Sequence, residues 1–123
     1  MQALAPGDAR AFWAAADALV AASQVLLDRP RGTAHPRYPD VIFPLDYGYL
    51  AETRSPDGGG IDVWIGSGPD RYVNAVVITL DLLKRESEIK LLLDCTPEEQ
   101  RIILALHRIG AQSALLVTRP VAT

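Results

Sequence analysis

"FPLDYGYLAETRSPDGGGIDVWIG", residues 43–66, joins two extended pieces through a turn that holds three consecutive glycines. Pro44, with Pro39 just upstream, favours two short extended segments over one long strand. Asp57-Gly58 ahead of an alternating apolar run is a strong chain-reversal signal. In "GIDVWIG", Ile61, Val63 and Ile65 share one face, and Asp62 and Trp64 the other. Asp57 and Asp62 stand five positions apart across the glycines. That spacing has two readings. Either Asp57 only helps reverse the chain while Asp62 faces solvent, or the loop brings both carboxylates to a metal ion.

Upstream, residues 8–22 read as a helix with Asp8 as N-cap and Phe12, Trp13, Ala16, Leu19 and Val20 at helical spacing. "QVLLD" is a short strand that runs into the turn-rich "RPRGTAHP". Downstream, "YVNAVVITLDLLK" is the longest extended segment, rich in valine and isoleucine. "SEIKLLLD" follows as a strand on which Glu88 and Lys90 share a face. A second helix begins at the Thr96 cap, with Pro97 in its first turn and Glu99 completing a capping box. Ile102, Ile103, Leu106 and Ile109 form its expected buried stripe, and Gly110 ends it. "SALLVTR" is a last strand. Short strands with a helix at each end predict an α+β domain with a small, strongly bent sheet or barrel.

The chain of 123 residues fits one domain, 1–123, able to bury a core without disulfide or metal staples. Its composition, 49% apolar and 22% charged, is that of a soluble globular protein. No apolar run is long enough to span a bilayer, and no secretory signal is expected at the N-terminus. One cysteine, Cys95, precludes an internal disulfide and makes a reducing cytoplasm the expected setting. A net charge of −3 argues against a general nucleic-acid binder, but not against a phosphate ligand carried with a divalent cation.

Asp28, Asp57, Asp62 and Glu88 are carboxylates at strand ends or on polar strand faces. Lys90 lies two positions beyond Glu88, so both side chains leave one face roughly 7 Å apart. Magnesium takes one or two carboxylates, several waters and phosphate oxygens, and a nearby lysine or arginine neutralises remaining phosphate charge. The alternative is a scatter of surface residues in which Glu88–Lys90 is a solvated pair worth little.

"FPLDYGYLAET" followed by "DGGGIDV" resembles the soluble family I inorganic pyrophosphatases, which carry Y-P-x-x-Y-G-[FY] and then D-G-D-P-x-D-V. "VLLDRPRG" is similar to that family's acidic strand, and "SEIK" to its acid-x-Lys strand. The resemblance covers residues 24–118 and leaves the first helix, within 1–23, outside. It implies a small OB-like β-barrel packed with an N-terminal and a C-terminal helix. It also implies a homo-oligomer that hydrolyses pyrophosphate with Mg2+. By the same resemblance Asp57, Asp62, Asp28 and Glu88 would hold metal, Asp62 and Tyr47 would act in catalysis, and Arg37, Lys90, His107 and Arg108 would contact phosphate. A helix-surface place is the ordinary alternative for His107 and Arg108, a core place for Tyr47, and a loop place for Arg37.

The departures are as informative as the matches. Gly59 stands where the family has the middle aspartate of its metal loop, and Gly60 where it has proline. Phe43 lacks the first tyrosine's hydroxyl, and Pro39 replaces a glutamate. A late metal-binding aspartate falls near Leu83–Lys84, with Asp81 its counterpart only if the strand is shifted. Losing one directly participating group costs ~10²–10⁴ in rate. Three readings follow: slowed pyrophosphate hydrolysis, a non-catalytic phosphate- or nucleotide-binding module, or a structural or oligomerisation domain with the apolar first helix as its handle.

Overall fold

A computed structural model describes residues 8–121. It contains α1 (Arg10–Ala21), β1 (Val25–Arg29), β2 (Asp46–Leu50), β3 (Asp62–Ile65), β4 (Val73–Asp81), β5 (Glu86–Leu93), α2 (Pro97–Leu106) and β6 (Gln112–Thr118). Residues 1–7 of the expected N-terminal segment lie outside the described residues. The strands form one sheet in the order β1-β2-β3-β5-β4-β6, parallel only between β3 and β5. The α+β class and both flanking helices agree with the sequence reading. The sheet, however, does not close into a barrel. Closure needs the two edge strands to meet. Here β6 takes the outer edge of β4 from Ala75 to Asp81 and leaves β1 alone at the far edge.

Alternation along the strands sorts their side chains onto two faces. Val63, Val76, Leu91 and Leu93 pack under α1, against Trp13, Ala16 and Val20. Trp64, Ala75, Val77 and Leu92 point the other way, towards Ile103 of α2, Phe43, Leu45 and Cys95. The β4 register slips between Val73 and Ala75, a bulge that places these two residues on opposite faces. Because both faces are covered, the central strands read as continuous apolar runs and not as clean alternation.

The helices differ from expectation in detail. Ala9, not Asp8, is the N-cap of α1, and Asp8 Oδ1 accepts the Arg10 N–H at 3.0 Å from one position earlier. The buried stripe of α1 is narrow, since Phe12 and Leu19 are exposed. Asp17 pins this helix: Oδ1 accepts the Val73 N–H at 2.9 Å and Oδ2 pairs with Arg119 at 2.6 Å. On α2 the capping box forms as read, with Glu99 N–H to Thr96 Oγ1 at 3.1 Å and Thr96 N–H to Glu99 Oε1 at 2.8 Å. Of the expected stripe only Ile103 is fully buried, whereas Ile102 and Ile109 are exposed. The reason is that α2 covers one end of its face of the sheet. The other end stays open.

Candidate functional site

Strand register assembles the site at that open end. β2 and β3 place Tyr47 opposite Trp64 and Tyr49 opposite Asp62, and β4 and β5 place Val77 opposite Lys90 and Thr79 opposite Glu88. Alternation then brings Tyr47, Asp62, Glu88 and Lys90 to the α2 face. Lys90 Nζ donates to Asp62 Oδ2 at 2.7 Å, to Glu88 Oε2 at 2.7 Å and to the Tyr47 hydroxyl at 2.9 Å. All three ammonium protons are thereby used.

Lys90 is 7% exposed, a depth that an ammonium tolerates only when it is paired. Burial alone would lower its pKa, but Tyr47, Asp62 and Glu88 overcome that and raise it, so the charge persists. Burial raises the Tyr47 pKa, with the Lys90 charge opposing and the Asp62 carboxylate reinforcing, so the phenol keeps its proton. The Glu88–Lys90 pair is therefore part of a buried network and not the solvated surface pair of the ordinary reading.

Over this cluster opens a cavity of about 450 Å³. Tyr47, Trp64, Thr79, Glu88 and Lys90 contribute to it from the sheet. The segment before β2, the β4–β5 turn and the α2–β6 connection complete its walls. His107 lines it with both ring nitrogens occupied: Nε2 accepts from Trp64 Nε1 at 3.1 Å, and Nδ1 lies 3.1 Å from Gln112 Oε1. Indole N–H only donates, so Nε2 is the acceptor and the proton resides on Nδ1. Burial lowers the His107 pKa to about 4, and the Lys90 charge adds to this against the opposing Gln112 bond. His107 is thus a neutral side chain at neutral pH.

The remaining predicted residues stand apart from the cavity. Asp62 is paired with Lys90 but does not line the cavity. Asp57 is exposed at the loop tip, where Oδ1 accepts from Ser55 Oγ at 2.5 Å and from Gly59 N–H at 2.9 Å. Those two bonds lower its pKa, and Glu88 and Lys90 are near enough to add to the effect. Asp28 is exposed on β1, at the position skipped where the register with β2 shifts. Arg37 is exposed on the loop before β2, and Arg108 directs Nε and Nη2 to the Ala114 carbonyl. The structure therefore gathers Tyr47, Asp62, Glu88 and Lys90, adds His107 at the wall, and leaves Asp28, Arg37 and Arg108 outside.

The donor chemistry fits magnesium. Asp62 and Glu88 each give one oxygen to Lys90 and keep a second, and Asp57 keeps Oδ2. Among the described residues no three ligand side chains converge into a ready-made cage. Magnesium does not require one, because it is held by one or two carboxylates together with water and phosphate oxygens.

No protein-family model matches the sequence, and the curated proteins contain no match to it. Solved structures do match. An inorganic pyrophosphatase from Helicobacter pylori has a TM-score of 0.53 and 12% identity over 76% of this chain and 81% of that one. An inorganic phosphatase from Anaplasma phagocytophilum also has a TM-score of 0.53, with 12% identity over 76% of this chain and 81% of that chain. The fold is pyrophosphatase-like. The small bent sheet is OB-like, open at its two edges.

Sequence reasoning missed Thr79 and Gln112, and it did not give Trp64 a place in the site. Trp64 was within reach, because it follows Asp62 by two residues on one strand face. Thr79 depends on the β4–β5 register and Gln112 on the α2–β6 connection, neither of which has a local signal.

Proposed function

We propose that this chain binds a phosphoanhydride of the pyrophosphate type with magnesium and hydrolyses it slowly to orthophosphate. The observation that carries the reading is Lys90, buried and charged at the cavity wall, between two carboxylates that each retain a free oxygen. Asp62 and Glu88, with Asp57 from the adjacent loop, would hold the metal. Bound magnesium neutralises phosphate charge and lowers the pKa of water. Lys90 offsets charge on the phosphate that leaves, and the Tyr47 hydroxyl, kept protonated, donates to a phosphate oxygen. Water forms the new P–O bond as the bridging P–O bond breaks, and its two hydrogens pass to the product phosphates.

A specific observation also favours the non-catalytic reading. Gly59 brings no carboxylate to the loop, and Asp57 Oδ1 is engaged by the loop itself. Both readings require binding, and turnover separates them. Orthophosphate release and calorimetry should be measured with magnesium and pyrophosphate on wild type and Asp62→Asn. The expected result is magnesium-dependent binding with slow release, both lost in the variant. Binding without release selects the non-catalytic module. Equal metal and ligand binding in wild type and Asp62→Asn removes the site assignment.

Assembly and setting complete the proposal. Ile89 and Leu115 lie in register with Ile78 on the α1 face and both are exposed, Ile89 in a groove shared with Phe12 and Leu19. Phe12 and Leu19 add to the uncovered apolar surface on that helix. A second copy would cover such a surface, and symmetric homo-oligomers are the commonest soluble assemblies. A light-scattering mass of one chain at micromolar concentration would remove the homo-oligomer. Cys95, buried and with its thiol pKa pushed up to about 12 by burial first, fits a reducing cytoplasm. No helix among the described residues is long and apolar enough to cross a membrane.

A further inference from the structure

The cavity is larger and less polar than inorganic pyrophosphate requires. That ion has nine non-hydrogen atoms and no apolar surface. A volume of about 450 Å³ lies within the ~300–1,000 Å³ of sites that enclose whole organic ligands. The charged cluster occupies one side of this space. Rings and aliphatic groups also line it: Tyr38, Phe43, Trp64, Leu83, Leu106 and Ile109.

Three features indicate what would fill that part. Phe43 is stiffened from both sides, stacked on His35 at 3° with centroids 6.0 Å apart and set against Trp64 at 5.8 Å. Two large apolar side chains of the wall, Tyr38 and Leu83, are 58% and 83% exposed, with no core to explain them. Cations are scarce: among the described residues Lys84 is the only one in the wall besides Lys90, against Asp81, Glu86 and Glu88. Asp81 is partly occupied, since Oδ1 accepts the N–H groups of Leu83 and Lys84 at 3.0 and 2.9 Å. A second phosphate would find little positive charge there. An uncharged flat ring would find the exposed Tyr38 ring, the aliphatic side chains of Leu83 and Ile109 and the polar end of Gln112.

We infer that the substrate class of this site is a phosphoanhydride attached to an aromatic heterocycle, chemically a nucleoside diphosphate, with the ring in the aromatic part of the cavity. The inference rests on the phosphate reading above and extends it from the ion to its organic substituent. The phosphates, with magnesium, lie at Glu88 and Lys90, and the ring lies between Tyr38 and Leu83. Stacking a base on an aromatic side chain is worth ~1–3 kcal/mol, about fivefold to more than a hundredfold in affinity.

The test is calorimetry on the full chain in fixed magnesium, with adenosine diphosphate and pyrophosphate as probes. Wild type should bind adenosine diphosphate at least about tenfold more tightly than pyrophosphate. Tyr38→Ala and Leu83→Ser, both at exposed positions, should each lower that affinity ratio by about fivefold or more. If pyrophosphate binds and adenosine diphosphate binds no better, with both variants leaving the ratio unchanged, the inference is overturned while the phosphate reading stands. If neither probe binds, the phosphate reading fails and the inference with it.

Discussion

The Lys90 cluster and the Asp57 loop are neighbours built on opposite principles. Lys90 has three partners drawn from three strands, is almost fully buried, and is fixed by the register of the sheet. Asp57 is held by hydrogen bonds from Ser55 and Gly59, within four residues of chain, and sits exposed at a turn. The first arrangement exists only when the whole fold exists. The second would form in almost any turn of the same sequence, because an aspartate readily bonds the backbone two residues on. A single charged group therefore has very different leverage in the two places, and each place answers differently to substitution.

The largest effect is expected at Lys90. Lys90→Met leaves Asp62 and Glu88 facing each other without their cation. Breaking a buried pair costs ~3–5 kcal/mol, and the low end, about 3 kcal/mol, applies because both carboxylates are partly solvated. Urea unfolding measures it, and the same variant should lose magnesium-dependent ligand binding. A loss below ~1 kcal/mol would place Lys90 in the class of solvated surface pairs and dissolve the contrast with Asp57.

His107 tests the same boundary through pH. Its pKa falls from 6.5 in the unfolded chain to about 4 in the folded one. Between those values the unfolded chain binds more protons, so stability is complete above 6.5 and declines as pH falls towards 4. From pH 6.5 to 5 the loss should be about 1.6 kcal/mol, the slope rising towards ~1.4 kcal/mol per pH unit. His107→Gln keeps an acceptor for Trp64 and removes the titration, so its melting temperature should vary less over that range. His35 shifts in the same direction, by burial first and then the Arg29, Arg37 and Lys84 charges, and should leave a residual slope. An unchanged slope in His107→Gln would mean that the ring is not held neutral by its surroundings.

What the sequence disclosed follows the same division. The α2 cap was legible because Thr96, Pro97 and Glu99 form a local rule. The shared face of Glu88 and Lys90 was legible because strand parity is local too. The burial of Lys90 was not, since it requires β2, β3 and β5 to align and Tyr47 to arrive from 43 residues away. The open sheet was hidden for a similar reason: which strand takes the outer edge of β4 is decided by tertiary pairing. The exposure of Ile102 and Ile109 shows that helical spacing defines a stripe but not how much sheet lies beneath it. Arg37 and Arg108 were matched by position along the chain, whereas their direction depends on loop and helix-end geometry.

The opening turn gives the smallest and most exacting test. Gly58, not Gly59, holds the left-handed conformation, at φ +87°, so an aspartate at 59 meets no backbone penalty of that kind. A Cβ there would come within 3.2 Å of Asp57 Oδ1 and of little else. That carboxylate sits at an exposed tip and can move by the few tenths of an ångström required. Gly59→Asp should therefore fold with a melting temperature near that of wild type. It would set a third carboxylate between Asp57 and Asp62. Added metal affinity should raise pyrophosphate hydrolysis about tenfold, equal to ~1.4 kcal/mol of barrier. Calorimetry with magnesium alone separates the two steps, since affinity should rise even where turnover is slow. A folded Gly59→Asp protein with unchanged magnesium affinity and unchanged hydrolysis would make residues 55–62 a plain hairpin turn. The Lys90 cluster would then stand as the whole of the site.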